Sequence, residues 1–362
     1  MNILVVTASN GADHCQRALG IFARLMLRVH DLKVHLVCSR KAMEQATRAI
    51  KVPPFLLDRL ITHFDIVDDG VDWSNDPEVY ADGRLINWES RVADLLQVHD
   101  FQYVFSDNLC GVLRMRPDTI LIGNFLWSDV LEQAFPSDPF VIDFVKKERE
   151  ALKRCRPKLL CSSEVAMPSL LHRTQGIRCG FMVDPFVDQP MKTLQDDSYN
   201  LAVFSSLDIA DPEVTADIVG SMHKRSSWNF WVEPECYEFL PTKDERLHCL
   251  SGEHQDFAKL DAVIAPPSFS ILNECLTQNL PLIMYYSPMQ TEKSHFAARI
   301  RQLKLGYDLG SALGAVSGMD AVKSMLTDRA RSEWKVSRQK INCNGYEEAV
   351  TWIERYLRPN RY

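Results

Sequence analysis

The chain has 362 residues, 46% hydrophobic and 25% charged, a globular composition long enough for two domains with full cores. Its formal net charge is -7, with 41 basic against 48 acidic residues and no Lys/Arg block beyond pairs such as Lys146-Lys147, which excludes the electrostatic footprint of a nucleic-acid binder. The ten cysteines include no CxxC pair, the ten histidines no HxxxH or HExxH spacing, and no apolar run reaches the roughly 20 residues that span a bilayer. Reduced thiols, no metal, and a cytoplasmic protein at most peripheral to the inner face of a membrane are therefore expected.

Asn2–Thr7 reads as a strand, followed by the small polar loop Ala8-Ser9-Asn10-Gly11-Ala12-Asp13. Cys15, Ala18, Leu19, Phe22, Leu25, Met26 and Val29 recur at helical spacing, and residues 33–38 supply the next strand, so the chain opens as a βαβ unit of parallel type. Residues 52–61, VPPFLLDRLI, are apolar; a loop packed on the first domain is expected, with a surface for a lipid-linked acceptor as the alternative. The alternation continues through a strand at 64–67, a helix with Trp88, Val92, Leu95 and Leu96 on one face, and a strand from Tyr103 ending in Ser106-Asp107-Asn108. A strand at 119–122 runs into Gly123-Asn124-Phe125-Leu126-Trp127, residues 138–155 read as a helix, and 158–161 and 177–183 as strands.

The proline-bearing acidic segment 184–200 is predicted as a linker after a first domain of residues 1–183. Beyond it the pattern restarts with a strand at 201–204 leading to Ser205-Ser206, a helix near 213–223 and the strand Asn229–Val232. A second domain over 201–330 follows, with residues 331–362 as a helical segment expected to return to the first domain. The fold class is α/β, two doubly wound Rossmann-like domains. Within residues 261–286, an apolar strand is broken by Pro266-Pro267, after which Ser268 or Ser270 can cap a helix whose Ile271, Leu272, Cys275 and Leu276 share a face. Asn279 suits the left-handed conformation that closes a helix, and Pro281 follows it. A helix starting just after a strand points N–H groups and a positive dipole end at the strand's carboxyl edge, where an anion is favoured; an ordinary crossover without ligand has the same pattern.

Ligands of such sheets bind outside the carboxyl ends of the strands, so a cleft between the domains is the expected site. His14 begins a helix after the first strand, where an imidazole can act as a base near neutrality, or simply cover a helix end. Asp107, at the end of another strand, is placed to orient it. Glu274, one turn into the second domain's helix, suits the hydroxyls of a ribose, although the helix dipole alone favours an acid there.

These stretches also carry a resemblance. TASNGADHCQRALGIFARL, residues 7–25, resembles the GxGHxxRAxxLAxxL opening of GT-B nucleotide-sugar glycosyltransferases, and VIAPPSFSILNECLTQNLPLI, residues 263–283, resembles their HGGxSxxxEALxxGxPxI donor motif. FSDNLCGVL at 105–113 and IGNFLWSDVL at 122–131 are similar to the SD and NFxWDxxY segments of glycosyltransferase-like domains attached to some sugar kinases. Glu292-Lys293 stands where the family has its DQxxNA or EQxxNA donor-sugar segment. The resemblance implies an inverting, metal-independent glycosyl transfer, of hexosyl or N-acetylhexosaminyl type, without a cofactor and with a nucleotide-sugar, UDP-linked, as co-substrate. It implies His14 as base and Asp107 as its partner, and Ser205, Ser268, Ser270, Ile271, Glu274, Glu292 and Lys293 on the donor side. Asn10, Gly11, Asn124 and Trp127 are implied on the acceptor side, with a lipid-linked, glycan or small-molecule acceptor. Pro266-Pro267-Ser268 replaces the His-Gly-Gly turn and removes two amide donors, Lys293 replaces Gln, Phe296 replaces Asn, and Asp13 replaces a Gly. A nucleotide-sugar epimerase or hydrolase of the same fold, and a non-catalytic sugar- or nucleotide-binding scaffold, remain the alternatives.

Overall fold

A computed structural model describes residues 1–8, 12–50, 52–64, 84–183, 198–205, 212–251, 254–286, 290–310 and 316–358. The chain divides into two compact units, Met1–Met182 with Asn342–Tyr362, and Val183–Ile341.

In the first unit the elements run β1 (Asn2–Thr7), α1 (Ala12–Arg28), β2 (Lys33–Val37), α2 (Arg40–Ala49), β3 (Leu60–His63), α3 (Arg84–Val98), β4 (Tyr103–Asp107), α4 (Val112–Met115), β5 (Ile120–Ile122), α5 (Trp127–Ala134), α6 (Pro139–Cys155), β6 (Lys158–Ser162), α7 (Pro168–Arg173) and β7 (Gln175–Cys179). Among the described residues they form a seven-stranded sheet of order β3-β2-β1-β4-β5-β6-β7 whose pairs are all parallel. The order reverses between β1 and β4, where Thr7 pairs with Asp107. Ile3, Leu4, Val5 and Val6 are fully buried, as both-face burial of a central parallel strand requires.

Two expectations are corrected here. A strand at Leu60–His63 takes in the end of the 52–61 segment expected as a loop; of the strand read at 64–67, Phe64 is not in a strand and 65–67 lie outside the described residues. Pro54–Arg59 is a short 3-10 helix of two turns; it buries Leu56, leaves Phe55 and Leu57 largely exposed, and delivers β-branched Ile61 and Thr62 to the sheet edge. The strand read at 177–183 ends at Cys179 because its later backbone groups pair elsewhere: Phe181 N–H donates to Asn342 O at 2.7 Å, and Gly345 N–H to Phe181 O at 3.0 Å. Val92 is buried on α3 with Leu95 and Leu96 packed beside it; the side chain of Trp88 is outside the described residues.

The second unit runs β8 (Asn200–Val203), α8 (Pro212–Lys224), β9 (Asn229–Val232), α9 (Pro234–Phe239), β10 (Leu247–Cys249), α10 (His254–Phe257), β11 (Ala262–Ala265), α11 (Phe269–Thr277), β12 (Leu282–Tyr285), α12 (Thr291–Gln302), β13 (Gly306–Gly310), α13 (Val316–Met325) and α14 (Asp328–Arg338). Its described strands form a parallel sheet of order β10-β9-β8-β11-β12-β13, reversing between β8 and β11. α14 stays with this unit: Trp334 Nε1 donates to Leu305 O at 3.0 Å and Arg338 Nε to Leu276 O at 2.5 Å. The last helix, α15 (Gly345–Leu357), belongs to the first unit and packs on α1, where Tyr346 covers Gly20 and lies under the Arg24 guanidinium at 4.4 Å.

None of the ten cysteines is in a disulfide. Among the described residues no helix is long and apolar enough to cross a membrane, and no group of three or more His, Cys, Asp or Glu side chains is placed to hold a metal ion.

Candidate active site

At the carboxyl end of the first sheet, α1 starts directly after β1 and the neighbouring strand β4 ends in Asp107. This adjacency carries His14, in the first turn of α1, to the buried carboxylate: His14 Nδ1 lies 2.7 Å from Asp107 Oδ1. His14 is 6% exposed and Asp107 0%. Arg17, one turn further along α1, closes the group, with Nε donating to Oδ2 at 2.8 Å and Nη2 to Oδ1 at 2.5 Å. Burial works against the charge on Asp107, but the Arg17 guanidinium and the His14 hydrogen bond hold its carboxyl below the usual range. An ionised Asp107 only accepts, so Nδ1 of the neutral imidazole carries the proton and Nε2 keeps the lone pair. Arg17 was not singled out from the sequence, yet the signal was there: it occupies the Arg of GxGHxxRA, three residues from His14 and therefore on the same helix face.

The loop after β5 is shaped by its partner strands. Asn108 takes φ 60°, its N–H bonds Ile122 O, and its Oδ1 would lie 2.0 Å from a Cβ at position 123. Gly123, at φ 151°, is thus required there. Asn124 Oδ1 accepts from Ser162 N–H at 3.0 Å and its carbonyl from Met167 N–H at 2.7 Å, which commits the residue to bracing β6. Trp127, 4% exposed, packs with Val130, Leu131, Val141 and Val145 as core. The half-buried ring beside His14 is Phe125, 6.4 Å between centroids and edge to face, which in turn rests on Trp127 at 5.0 Å. Asn10 and Gly11 lie outside the described residues.

In the second unit, Ser268 is the cap of α11: its Oγ accepts from Ile271 N–H at 3.2 Å and stands 3.3 Å from Ser270 Oγ. Ser268, Ser270 and Glu274 are half-buried at the carboxyl edge of β11 or one turn beyond it. The expectation of Ile271 as an amide donor is qualified by this cap, since that N–H is already engaged. Asn279, at φ 59°, closes the helix, with Leu280 N–H returning to Cys275 O at 2.9 Å. Glu292 and Lys293 are half-buried in the first turn of α12, after the adjacent strand β12. Ser205, two residues past the end of β8, donates through N–H and Oγ to Glu233 Oε2 at 2.8 and 2.7 Å. Burial pushes the Glu233 carboxyl up. Glu233 follows β9 and is a polar neighbour that the sequence reading missed.

No family model matches the chain, and no curated protein matches it. Solved structures do. The glycotransferase of kitacinnamycin matches with a TM-score of 0.68 and 12% identity, over 98% of this chain and 99% of the other. CalG4, the calicheamicin glycosyltransferase, matches at 0.64 with 14% identity over 98% of both chains. The UDP-glucose:anthocyanidin 3-O-glucosyltransferase in complex with UDP matches at 0.64 with 11% identity, over 97% and 98%. With two doubly wound parallel sheets and full-length superposition on these enzymes, the chain has the GT-B fold of nucleotide-sugar glycosyltransferases.

Proposed function

We propose that the protein transfers a sugar from a nucleotide-diphosphate donor to an acceptor hydroxyl with inversion. The observation that carries this reading is the buried His14–Asp107 pair at the carboxyl end of the first sheet, whose 2.7 Å bond leaves Nε2 as the basic nitrogen. His14 Nε2 takes the hydroxyl proton as the oxygen attacks the anomeric carbon; the bond from that carbon to the diphosphate oxygen breaks, and its electron pair leaves with the nucleoside diphosphate. The Ser268 and Ser270 hydroxyls and the start of α11 stabilise that departing charge. Glu274 takes the ribose hydroxyls, Glu292 the donor sugar, Lys293 adds a cation beside the phosphates, and Ser205 lines the donor side. Asn10 and Gly11 belong to the acceptor side, with Phe125 beside the base. Solved neighbours were captured with UDP, UDP-2-fluoro-glucose and dTDP, which supports a UDP- or dTDP-linked donor.

The reading is tested by incubating the protein with UDP- and dTDP-sugars and a panel of hydroxylated acceptors, and following nucleoside diphosphate release and product mass. Release that requires acceptor and vanishes in His14→Ala supports it; retained turnover in that variant overturns the base. The engaged Ile271 amide and the Pro266-Pro267 turn favour one second reading, a non-catalytic nucleotide binder. Calorimetric binding of UDP or dTDP without turnover on any acceptor would select it.

A further inference from the structure

We propose that Arg17 is a positioning residue of this site: its side-on, two-bonded hold on Asp107 keeps that carboxylate ionised and turned so that His14 presents Nε2 to the acceptor. Its consequence for turnover rests on the transferase reading, but the arrangement itself does not.

Asp107 is fully buried and accepts from two side chains through three N–H groups. A buried carboxylate facing only a neutral imidazole is driven toward protonation by desolvation. A protonated Asp107 could donate to Nδ1, which would move the ring proton to Nε2 and abolish the base. Arg17, itself 6% exposed, opposes this with a permanent charge and fixed geometry. Its Nε and Nη2 bind the two carboxylate oxygens separately, at 2.8 and 2.5 Å, and so fix the plane in which Oδ1 meets Nδ1. Nη2 also stands 3.3 Å from Nδ1. With Nδ1 protonated both nitrogens are donors, so this approach is a contact and not a hydrogen bond, and Oδ1 accepts from each of them. Asp107 is thereby a poor proton acceptor. The proton taken from the acceptor hydroxyl stays on the imidazole until it departs to solvent or leaving group, and is not relayed to the carboxylate.

The test reads the site without substrate. Carbon-13 side-chain carboxyl labelling of aspartate, with Asp107→Asn for assignment, follows Asp107 as pH falls, and nitrogen-15 labelling of histidine reports the His14 tautomer. Arg17→Met is expected to raise the Asp107 midpoint by about one pH unit or more and to erode the Nδ1–H tautomer. Arg17→Lys keeps the charge but makes a single-point contact; its Asp107 midpoint is expected within about half a unit of wild type, with the tautomer mixed. An Arg17→Met protein with unchanged midpoint and tautomer but lower stability would reduce Arg17 to a structural brace. If Arg17→Met does not fold, Arg17→Lys decides: a tautomer identical to wild type overturns orientation by the two-bonded hold. With a competent donor and acceptor in hand, Arg17→Lys is expected to lower kcat about tenfold with KM nearly unchanged. Should no substrate turn over, the magnetic-resonance result still stands or falls alone.

Discussion

Asp107 has no exposed surface and accepts from both an imidazole and a guanidinium, so its charge has two separable consequences, one for the proposed chemistry and one for stability. For chemistry, the proposed transfer makes His14 the proton acceptor, so His14→Ala is expected to lower turnover by about 10²–10⁴; the circular dichroism spectrum is expected to stay unchanged, since the residue sits in the first turn of α1. For stability, Asp107→Asn strands the Arg17 charge in the interior and is expected to cost about 3 kcal/mol near neutral pH by urea titration. The folded carboxyl titrates below its unfolded value of about 3.9, so the stability it contributes is complete above that value and is lost as pH falls through the lower folded one. The difference between wild type and Asp107→Asn is therefore expected to stay flat above about pH 5 and to narrow in stronger acid. A constant difference down to unfolding would mean that the carboxylate's charge is not what the fold uses.

Two elements carry predictions of their own. α11 is nine residues long and begins on one side-chain cap, so Ser268→Ala leaves the Ile271 N–H without its partner and is expected to cost about 1 kcal/mol. Weaker binding of UDP or dTDP by calorimetry in the same variant is expected if the hydroxyl also meets phosphate. On the α3-facing side of the first sheet, His35 of β2 contacts His63 of β3, Nδ1 to Nε2 at 3.1 Å, and lies 5.1 Å from the His99 ring. Burial, then the neighbouring imidazoles and Lys33, push His35 down to about 4. An unfolded histidine titrates at about 6.5, so between roughly pH 6.5 and 4 the unfolded chain binds the extra proton and the folded state loses stability as pH falls. His35→Phe is expected to flatten that part of the stability profile, measured by urea titration at successive pH values; an unchanged slope would remove His35 as its source. The window lies above that of Asp107, so the two effects separate.

At the scale of the whole molecule, the first unit is assembled from both ends of the chain. Gly180 N–H reaches Glu348 Oε2 at 2.8 Å, Arg28 pairs with Glu347, Arg358 pairs with Asp31, and Tyr103 meets Tyr356 edge to face. Gly20 is the close approach between α1 and α15: a Cβ there would sit 2.5 Å from the Tyr346 ring. Gly20→Ala must push α15 away and is expected to cost about 1–3 kcal/mol. Combined with Tyr346→Ala, the two losses should fall short of their sum, since the second change removes the clash made by the first. Strict additivity in thermal or urea unfolding would show that the helices do not meet as described.

Strand and helix order was legible where parallel α/β sheets write continuous apolar runs beside amphipathic helices, as at Asn2–Thr7, Ala12–Arg28 and Asn229–Val232, but not at Leu247–Cys249 and Gly306–Gly310, short edge strands that carry polar residues. Ends were less legible where a backbone group finds a distant partner. Nothing local at Phe181 announces that Asn342 will take its N–H, and the 3-10 helix before β3 depended on which of two adjoining leucines, Leu56 or Leu57, found the core. His14 and Asp107 could be named as a pair from their positions after strands, but 93 residues separate them and their contact is decided only by β1 and β4 lying side by side. Sequence by itself determined the alternating α/β pattern and the type of the strongly periodic elements, since period and composition are local. Tertiary structure decided that Asp107 is shared with Arg17, that the Phe125 ring stands edge to face with His14 while Trp127 packs in the core, and that the Ile271 amide is already engaged. Each of these depends on distance and burial, which are properties of the packed chain alone.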